Sequence, residues 1–177
     1  MTTCLACGAP ETRKILDFGP QPAANLLPDA PRVFVKRVTL ALRFCDACGH
    51  AQQDSFYPPE ELFGHYLYQS GTTRTLAKFF DWLAGAIART LPVRGRVLEI
   101  ASNDGSFLEA LGRVGLKATG VEPARNLVSL SRARGHEVVE GFWPEVRPPE
   151  RYERIVGMNV LAHGPAPLPF WKVFAMP

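Results

Sequence analysis

The chain has 177 residues, of which 46% are hydrophobic and 21% charged, a balance typical of an ordinary globular protein. Its formal net charge of +3 is too small to indicate a nucleic-acid-binding protein by itself. The first residues show no signal peptide and no stretch reaches the ~18 unbroken apolar residues of a membrane-spanning helix, so we expect a cytoplasmic protein with no membrane partner.

Two short cysteine motifs, Cys4-Leu-Ala-Cys7-Gly and Cys45-Asp-Ala-Cys48-Gly, are the first feature along the chain. In a reducing cytoplasm, cysteines at this spacing are more often metal ligands than disulfides. The glycine after each second cysteine lets the backbone fold around an ion, so each motif places two thiolates on one side of a tight turn. The two motifs predict a closed tetrahedral site for structural Zn²⁺ formed by Cys4, Cys7, Cys45 and Cys48. Four free buried cysteines are the alternative.

The interval between the two cysteine motifs is longer than the ~15–20 residues of a usual zinc ribbon. This length predicts a β insertion, and the runs Val33–Val35 and Val38–Leu42 are typical of short strands. The interval contains a few basic residues but no combined aromatic and basic face for single-stranded nucleic acid. We therefore interpret residues 1–56 as a metal-stapled folding module, with nucleic-acid binding as the less favoured alternative.

Residues 57–94 predict a helical linker. Pro58-Pro59-Glu60-Glu61 is a helix-start signal, with proline and acidic residues in the first turn. Apolar residues then recur at spacings of three and four, which predicts an amphipathic helix. These residues are Leu76, Phe79, Phe80, Leu83, Ile87 and Leu91.

Residues 95–163 alternate short apolar runs with helical stretches, which predicts an α/β fold with a parallel sheet. The predicted strands are Arg96–Ile100, Ala118–Glu122, Val138–Val139 and Arg154–Met158. The predicted helices are Ser106–Gly115, with Phe107, Leu108, Leu111 and Val114 facing inward, and Asn126–Arg134.

The first predicted strand of this sheet runs into a small, polar turn, Ala101–Gly105. Ligands of parallel sheets bind outside the carboxyl ends of the strands, and small residues there allow close approach of the backbone. The turn lacks GxGxxG, so it does not predict a dinucleotide site. Glu122 ends the next strand, where a carboxylate is suited to accept hydrogen bonds from both ribose hydroxyls. Together these residues predict a nucleoside-cofactor site, although each alone is also typical of an ordinary loop.

In their order along residues 4 to about 163, these motifs resemble the zinc-domain-containing, S-adenosylmethionine (SAM)-dependent sugar C-methyltransferases. The resemblance implies a zinc-ribbon-like β module with four cysteine ligands, a helical linker and a partial Rossmann-like class I methyltransferase sheet. It also implies SAM and structural Zn²⁺ as cofactors, and a nucleotide-linked keto-deoxysugar as substrate. The matching segments include Gln21–Leu27, Tyr66-Leu-Tyr68-Gln-Ser70, Leu98–Gly105, Gly120–Ala124 with Asn126, and Asn159–His163.

The resemblance implies roles for individual residues. Glu122 would hold the ribose, and Asn159 would lie near the methyl donor. The residues that would line the methionine and ribose of SAM are Glu99, Ala101, Ser102, Asn103 and Gly105.

The resemblance places further residues over the cofactor and sugar. Ser70, Tyr66 and Tyr68 would cover them from the linker, and His163 would face the active site. Packing of the linker is the alternative for the two tyrosines, and an ordinary loop residue is the alternative for His163. In such enzymes a base removes a proton alpha to a carbonyl, and the enolate takes the methyl group in line.

The chain departs from this family at three places. Ala101 stands where a first glycine is usual, and Lys78 stands where a histidine is expected. Residues 164–177 are rich in proline and resemble nothing in the family, whose members continue much further, so we interpret the chain as truncated. The alternative function is a non-catalytic remnant that keeps zinc, with or without the cofactor. With strand order 3-2-1-4, the fourth strand would be an open edge, which predicts self-association.

Overall fold

The computed structural model of the chain describes residues 2–24, 34–164 and 170, divided between two units. The first unit comprises Met1–Leu62 with Gly164–Pro177, and the second comprises Phe63–His163. No helix in the described ranges is long and apolar enough to cross a membrane.

The first unit contains a three-stranded antiparallel sheet. Strand β1 (Arg13–Pro22) pairs with β2 (Arg37–Phe44), which pairs with β3 (Ala51–Gln53). Because β1 and β2 both lie between the two cysteine motifs, the predicted β insertion is confirmed. Within residues 2–24 and 34–62, the only buried apolar residues are Cys4, Ala41 and Cys45. A core this small does not stabilise a domain without a staple.

Two details of this unit differ from the sequence-based expectation or cannot be compared with it. Phe34 and Val35 have no regular structure, because the Phe34 side chain is 90% exposed and has no core to pack against. The run Val38–Leu42 does lie in β2. Three expected features lie outside the described residues: Val33, the Asn25–Leu27 part of the matching segment, and nearly all of the proline-rich tail.

Helix α1 (Pro59–Phe63) begins at the predicted proline-acid signal. The second unit then contains α2 (Arg74–Ala88), which carries the predicted amphipathic pattern. Leu91 lies beyond the end of this helix, but it still packs against the core. Residues 64–69 are not helical, so the linker is helical only in part.

A four-stranded parallel sheet forms the centre of the second unit. Its strands are β4 (Arg96–Ile100), β5 (Lys117–Glu122), β6 (Glu137–Glu140) and β7 (Arg154–Gly157), in the order β6-β5-β4-β7. This is the predicted 3-2-1-4 order. Helices α3 (Ser106–Arg113) and α4 (Arg125–Ala133) connect the first three strands, so the predicted α/β fold is confirmed.

The core of this unit lies between α2, α3 and the sheet. Val97, Leu98 and Ile100 of β4 are at most 2% exposed, because β4 has neighbours on both sides. Val114 was expected to face inward, and that was wrong. It is 39% exposed, since α3 ends at Arg113 and the chain turns at Gly115 with φ 82°.

Candidate functional site

The four cysteines of the first unit come together as predicted. Their Sγ atoms all lie within 4.8 Å of one another. The Sγ atoms of Cys4 and Cys48 are 3.7 Å apart, and so are those of Cys7 and Cys45. A tetrahedron of thiolates at the usual Zn–S distance of ~2.3 Å has S–S edges of roughly 3.8 Å. A disulfide requires about 2.05 Å, so the geometry fits zinc and excludes two disulfides.

The two cysteine motifs fold in the same way. In each, the glycine N–H donates to the first cysteine's C=O, at 3.0 Å in Gly8 and 2.8 Å in Gly49. Both glycines have positive φ, 78° and 77°, which only glycine adopts without strain.

Backbone N–H donors from Cys7 and Ala6 lower the pKa of the Cys4 thiol to about 6. A backbone donor at His50 acts in the same direction on Cys48, but the Cys7 thiol and burial outweigh it, so the pKa of Cys48 is raised. The thiols therefore titrate as a coupled set.

The turn after β4, residues 101–105, lies at the carboxyl edge of the parallel sheet. Ala101, Asn103 and Gly105 have positive φ values of 58°, 52° and 80°. A Cβ on Gly105 would lie 2.3 Å from Ser131 Oγ, so no other residue fits there. Left-handed backbone at the two non-glycine residues costs roughly 1–2 kcal/mol each, the kind of strain that clusters at ligand sites.

Glu122 lies beside this turn and is 5% exposed. Its Oε2 accepts a hydrogen bond from the Asn103 N–H at 2.8 Å, and its Oε1 accepts one from the Ala124 N–H at 2.9 Å. Burial raises the pKa of Glu122, although the two N–H donors oppose that rise. Each carboxylate oxygen keeps a free lone pair, so the side chain can accept two further hydrogen bonds from a diol.

Glu99 of β4 is the second buried carboxyl of the site, with 4% exposure. Its Oε2 has no hydrogen-bond partner within the described part of the chain. Burial, and then the charges of Glu122 and Asp104, raise the pKa of Glu99 well above its usual range. A buried polar atom without a partner indicates a ligand or water. A cationic group is the ligand that this carboxyl would bind best, and SAM has an ammonium and a sulfonium.

The raised pKa of Glu99 predicts a pH-dependent stability for the cofactor-free protein. Below about pH 4.3, folded and unfolded chains both keep the Glu99 proton. As pH rises, the unfolded chain loses that proton first, so the free energy of unfolding falls until pH passes the raised folded-state pKa. Glu99→Gln should remove the part of this fall in the free energy of unfolding that is due to Glu99. The variant should therefore become more stable relative to wild type as pH rises. Urea unfolding across a pH series measures the difference.

Glu137→Gln is the control for that series, because Glu137 is exposed at the start of β6. Its unfolding curve should follow the wild-type pH dependence. If the pH profiles of Glu99→Gln and wild type run parallel, Glu99 does not titrate with a raised pKa.

Residues 64–72, which we call the strap, lie against the same edge of the sheet. Asn103 Oδ1 accepts from the Ser70 N–H at 2.9 Å, and Asn103 Nδ2 donates to the Tyr68 C=O at 3.0 Å. The Gly71 N–H donates to Asp104 Oδ2 at 3.0 Å. The structure thus joins predicted site residues Ser70, Asn103 and Glu122 in one hydrogen-bonded series, with Ser70 contributing its main chain.

The predicted catalytic residues are placed less closely together. The ring of Phe63 lies 5.8 Å from the Tyr66 ring and 5.5 Å from the His163 ring, so it bridges the two. The Tyr68 side chain is 49% exposed. Asn159 follows β7 with φ 52°, and its side chain forms no hydrogen bond to any described residue.

The remaining predicted residues are in the turn itself. Ser102 is 2% exposed, its Oγ has no partner in the described ranges, and its N–H donates to the Val121 C=O at 3.2 Å. A Cβ on Gly120 would lie 2.3 Å from Ser102 Oγ, so that glycine lets the turn approach β5.

Two residues of the site were given no role from the sequence, although Asn126 belongs to the segments that carry the family resemblance. Asp104 is fully buried, holds the strap, and lies 3.4 Å from Arg134 Nη1 through its Oδ2. Asn126 Oδ1 accepts from the Tyr66 N–H at 3.1 Å, and its Nδ2 donates to the Tyr66 C=O at 2.7 Å. Asp104 lies in the turn after β4, and Asn126 lies in the first turn of α4, four residues after the end of β5.

Two family profiles match this chain. One is described as "Putative zinc binding domain" and matches residues 4–63, and the other is described as "Methyltransferase domain" and matches residues 63–172. The curated protein C-methyltransferase NovU of Streptomyces niveus is 30% identical over 148 residues. The match covers 81% of this chain but only 35% of NovU.

Comparison with solved structures finds similar methyltransferases. A protein of Methanococcus maripaludis, assigned as an S-adenosyl-L-methionine-dependent methyltransferase, aligns with a TM-score of 0.50 at 10% identity. That alignment covers 62% of this chain and 58% of the other. SAM-bound CalS10, an amino pentose methyltransferase from Micromonospora echinaspora, aligns with a TM-score of 0.43 at 16% identity, over 53% of this chain and 43% of its own.

Proposed function

Because this chain belongs to the SAM-dependent methyltransferase family, with a zinc-binding domain ahead of its methyltransferase domain, we propose that it methylates a carbon of a nucleotide-linked keto-deoxysugar. The observation that carries the proposal is the pair of buried carboxyls at the carboxyl edge of the sheet. Glu122 has two acceptor positions left for a ribose diol, and Glu99 has an unpartnered buried oxygen beside it. The likeness to NovU, a C-methyltransferase, supports carbon as the acceptor.

In this proposal the turn and the two carboxyls hold the cofactor. Glu122 accepts hydrogen bonds from the ribose hydroxyls, and ionised Glu99 faces the cationic methionine end. Because burial raises the pKa of Glu99, a cation beside it favours the ionised form, and binding releases a proton. Ala101, Ser102, Asn103 and Gly105 form the turn against the cofactor, and Asn159 approaches it from β7. When bound, SAM supplies an electrophilic methyl group.

Tyr66, Tyr68 and His163 are proposed to contact the sugar. The rings of Tyr66 and His163 both contact the Phe63 ring, so Phe63 links the two. Both side chains can exchange or donate a proton, as removal of a proton alpha to a keto group requires. The strap supplies Ser70 next to them, with its main chain bonded to Asn103.

A second candidate function is zinc and cofactor binding without catalysis. The observation that favours it is the match to only 35% of NovU, because catalysis there can depend on residues outside the matched part. The zinc centre and the cofactor edge described above fit this function as well as the first.

Labelled SAM distinguishes the two functions. The zinc-loaded protein is incubated with methyl-labelled SAM and a nucleotide-linked keto-deoxysugar, and label in the sugar fraction is measured. Transfer to carbon supports the methyltransferase. Saturable SAM binding without transfer supports the binding protein, and no SAM binding by a folded chain contradicts the methyltransferase and leaves a remnant that keeps only its zinc.

The matched control for this assay is the same sugar nucleotide with its keto group reduced to a hydroxyl. Reduction removes the acidity of the neighbouring C–H, so a carbon methyltransferase should leave this compound unlabelled. Label in the reduced sugar would indicate methylation of oxygen instead.

A further inference from the structure

The strap is held to the rest of the second unit by side chains that bind its main chain. Asn126 pairs with both main-chain polar groups of Tyr66, accepting from the N–H and donating to the C=O. This arrangement copies the pairing of a β ladder and fixes Tyr66 in one register. Near the other end, Asn103 binds Tyr68 and Ser70, and Asp104 binds Gly71.

Apolar burial contributes little to this attachment. No residue of the strap is buried, and Leu67, its one large aliphatic residue, is 61% exposed. Gly64 adds one more main-chain contact, since its C=O accepts from the Arg125 N–H at 3.2 Å. The position of the strap therefore depends on a small number of hydrogen bonds.

Asn103 links the strap to the cofactor edge. Its own N–H donates to Glu122 Oε2, while its side chain binds the strap at Tyr68 and Ser70. A change at Glu122 is thus transmitted to the strap through one residue. Asn126, in contrast, binds the strap at Tyr66 alone.

We propose that Asn126 is a positioning residue that, together with Asn103 and Asp104, fixes the strap and its tyrosines beside the cofactor turn. The inference rests on the proposed function for what the strap covers. Asn126 is the residue to test, because it lies in the first turn of α4 and binds neither Glu122 nor the turn. Its removal loosens the strap without removing a predicted cofactor ligand.

Hydrogen–deuterium exchange resolved at single amides tests this role in the cofactor-free, zinc-loaded chain. In wild type, the Tyr66 N–H should be protected, because its hydrogen bond is to Asn126 Oδ1. Asn126→Ala should speed its exchange about tenfold, with smaller increases at Ser70 and Gly71. The amides of β4 should exchange at the wild-type rate, which shows that the sheet is intact.

Two further variants separate positioning from a general loss of stability. Asn126→Asp keeps an oxygen acceptor for the Tyr66 N–H but loses the donor, so it should restore protection of that amide. Ser129→Ala is the matched control on α4, because Ser129 is exposed and its Oγ bonds only the Arg125 C=O at 2.9 Å. In Ser129→Ala the amides of the strap should exchange at the wild-type rate.

The outcomes distinguish this inference from the proposed function. An unprotected Tyr66 N–H in wild type overturns the positioning role, and so does equal strap exchange in wild type and Asn126→Ala. If Asn126→Ala also loses protection in β4, Asn126→Asp decides: restored protection of the Tyr66 N–H supports positioning, and its absence overturns it. A SAM titration of the same proteins should show several-fold weaker binding by Asn126→Ala. A chain that loosens its strap as predicted but never binds SAM overturns only the proposed function.

Discussion

Removal of zinc should unfold the first unit while the parallel sheet of the second unit stays folded. The described apolar core of residues 2–62 consists of Cys4, Ala41 and Cys45, two of which are predicted metal ligands. Metal binding in such small domains contributes roughly 10–16 kcal/mol of apparent free energy, which is more than the whole stability of most domains. Chelation, or Cys45→Ser, should therefore abolish exchange protection in β1, β2 and β3. The second unit keeps its own core of α2, α3 and the sheet.

Exchange protection in the two sheets, measured together with zinc release by a metal-sensitive dye, checks this prediction. The expected stoichiometry is one zinc ion per chain. Asp46→Ala is the matched control, since Asp46 is exposed inside the second cysteine motif and binds Arg13 at the surface. It should retain zinc and a protected sheet. A zinc-free chain in which β1 and β2 stay protected would show that the metal is not the staple.

The sequence predicted the parts of this structure that depend on neighbours along the chain. The cysteine motifs could be interpreted as a zinc centre because each turn is local, with its glycine in the left-handed region. The four strands of the parallel sheet were predicted because buried parallel strands are continuous apolar runs, and their order 3-2-1-4 followed from the family resemblance. The polar turn after β4 followed from the same periodicity.

The contacts that hold the strap could not be predicted in the same way. Asn126 and Tyr66 are 60 residues apart, and the groups that meet are a side-chain amide and a main-chain N–H and C=O. Every residue supplies the same main-chain groups, so the pattern of side chains carries no sign of this pairing. Phe34 is a case in which a pattern did predict structure and was wrong, because a β-type residue that is 90% exposed gains no burial from forming a strand.

The unpartnered oxygen of Glu99 was also invisible in the sequence. An acidic residue in a strand predicts an exposed position, but β4 lies between β5 and β7 and buries both faces. Only the packing of the sheet shows that this carboxyl is at the edge where Glu122 ends β5. The two carboxyls and the strap thus converge on one edge, which is why a single substitution there should have a large effect.

Glu122→Gln should weaken SAM binding by at least about 100-fold. In wild type the two carboxylate oxygens accept from the N–H groups of Asn103 and Ala124, and each keeps a lone pair that is proposed to accept from a ribose hydroxyl. The glutamine side chain keeps one oxygen acceptor, and its NH₂ group faces the second of these two main-chain N–H groups. One buried donor then loses its acceptor, at roughly 1–3 kcal/mol, and the charge-assisted bonds to the ribose are lost as well. Calorimetric titration of the zinc-loaded chain with SAM measures the change.

The matched control for this titration is Glu140→Gln, at the end of the neighbouring strand. Glu140 is exposed and lies 3.6 Å from Arg125, so its variant should bind SAM as wild type does.

The affinity of wild type for SAM should also fall as pH drops through the raised pKa of Glu122, because the neutral carboxyl loses its charge-assisted bonds. Glu122→Gln should lack that pH dependence. If Glu122→Gln and wild type bind SAM with equal affinity, and hydrogen–deuterium exchange shows that the sheet is intact in both, the ribose binds elsewhere. Because Asn103 joins Glu122 to the strap, Glu122→Gln should also speed exchange at Ser70, a consequence that Glu140→Gln does not share.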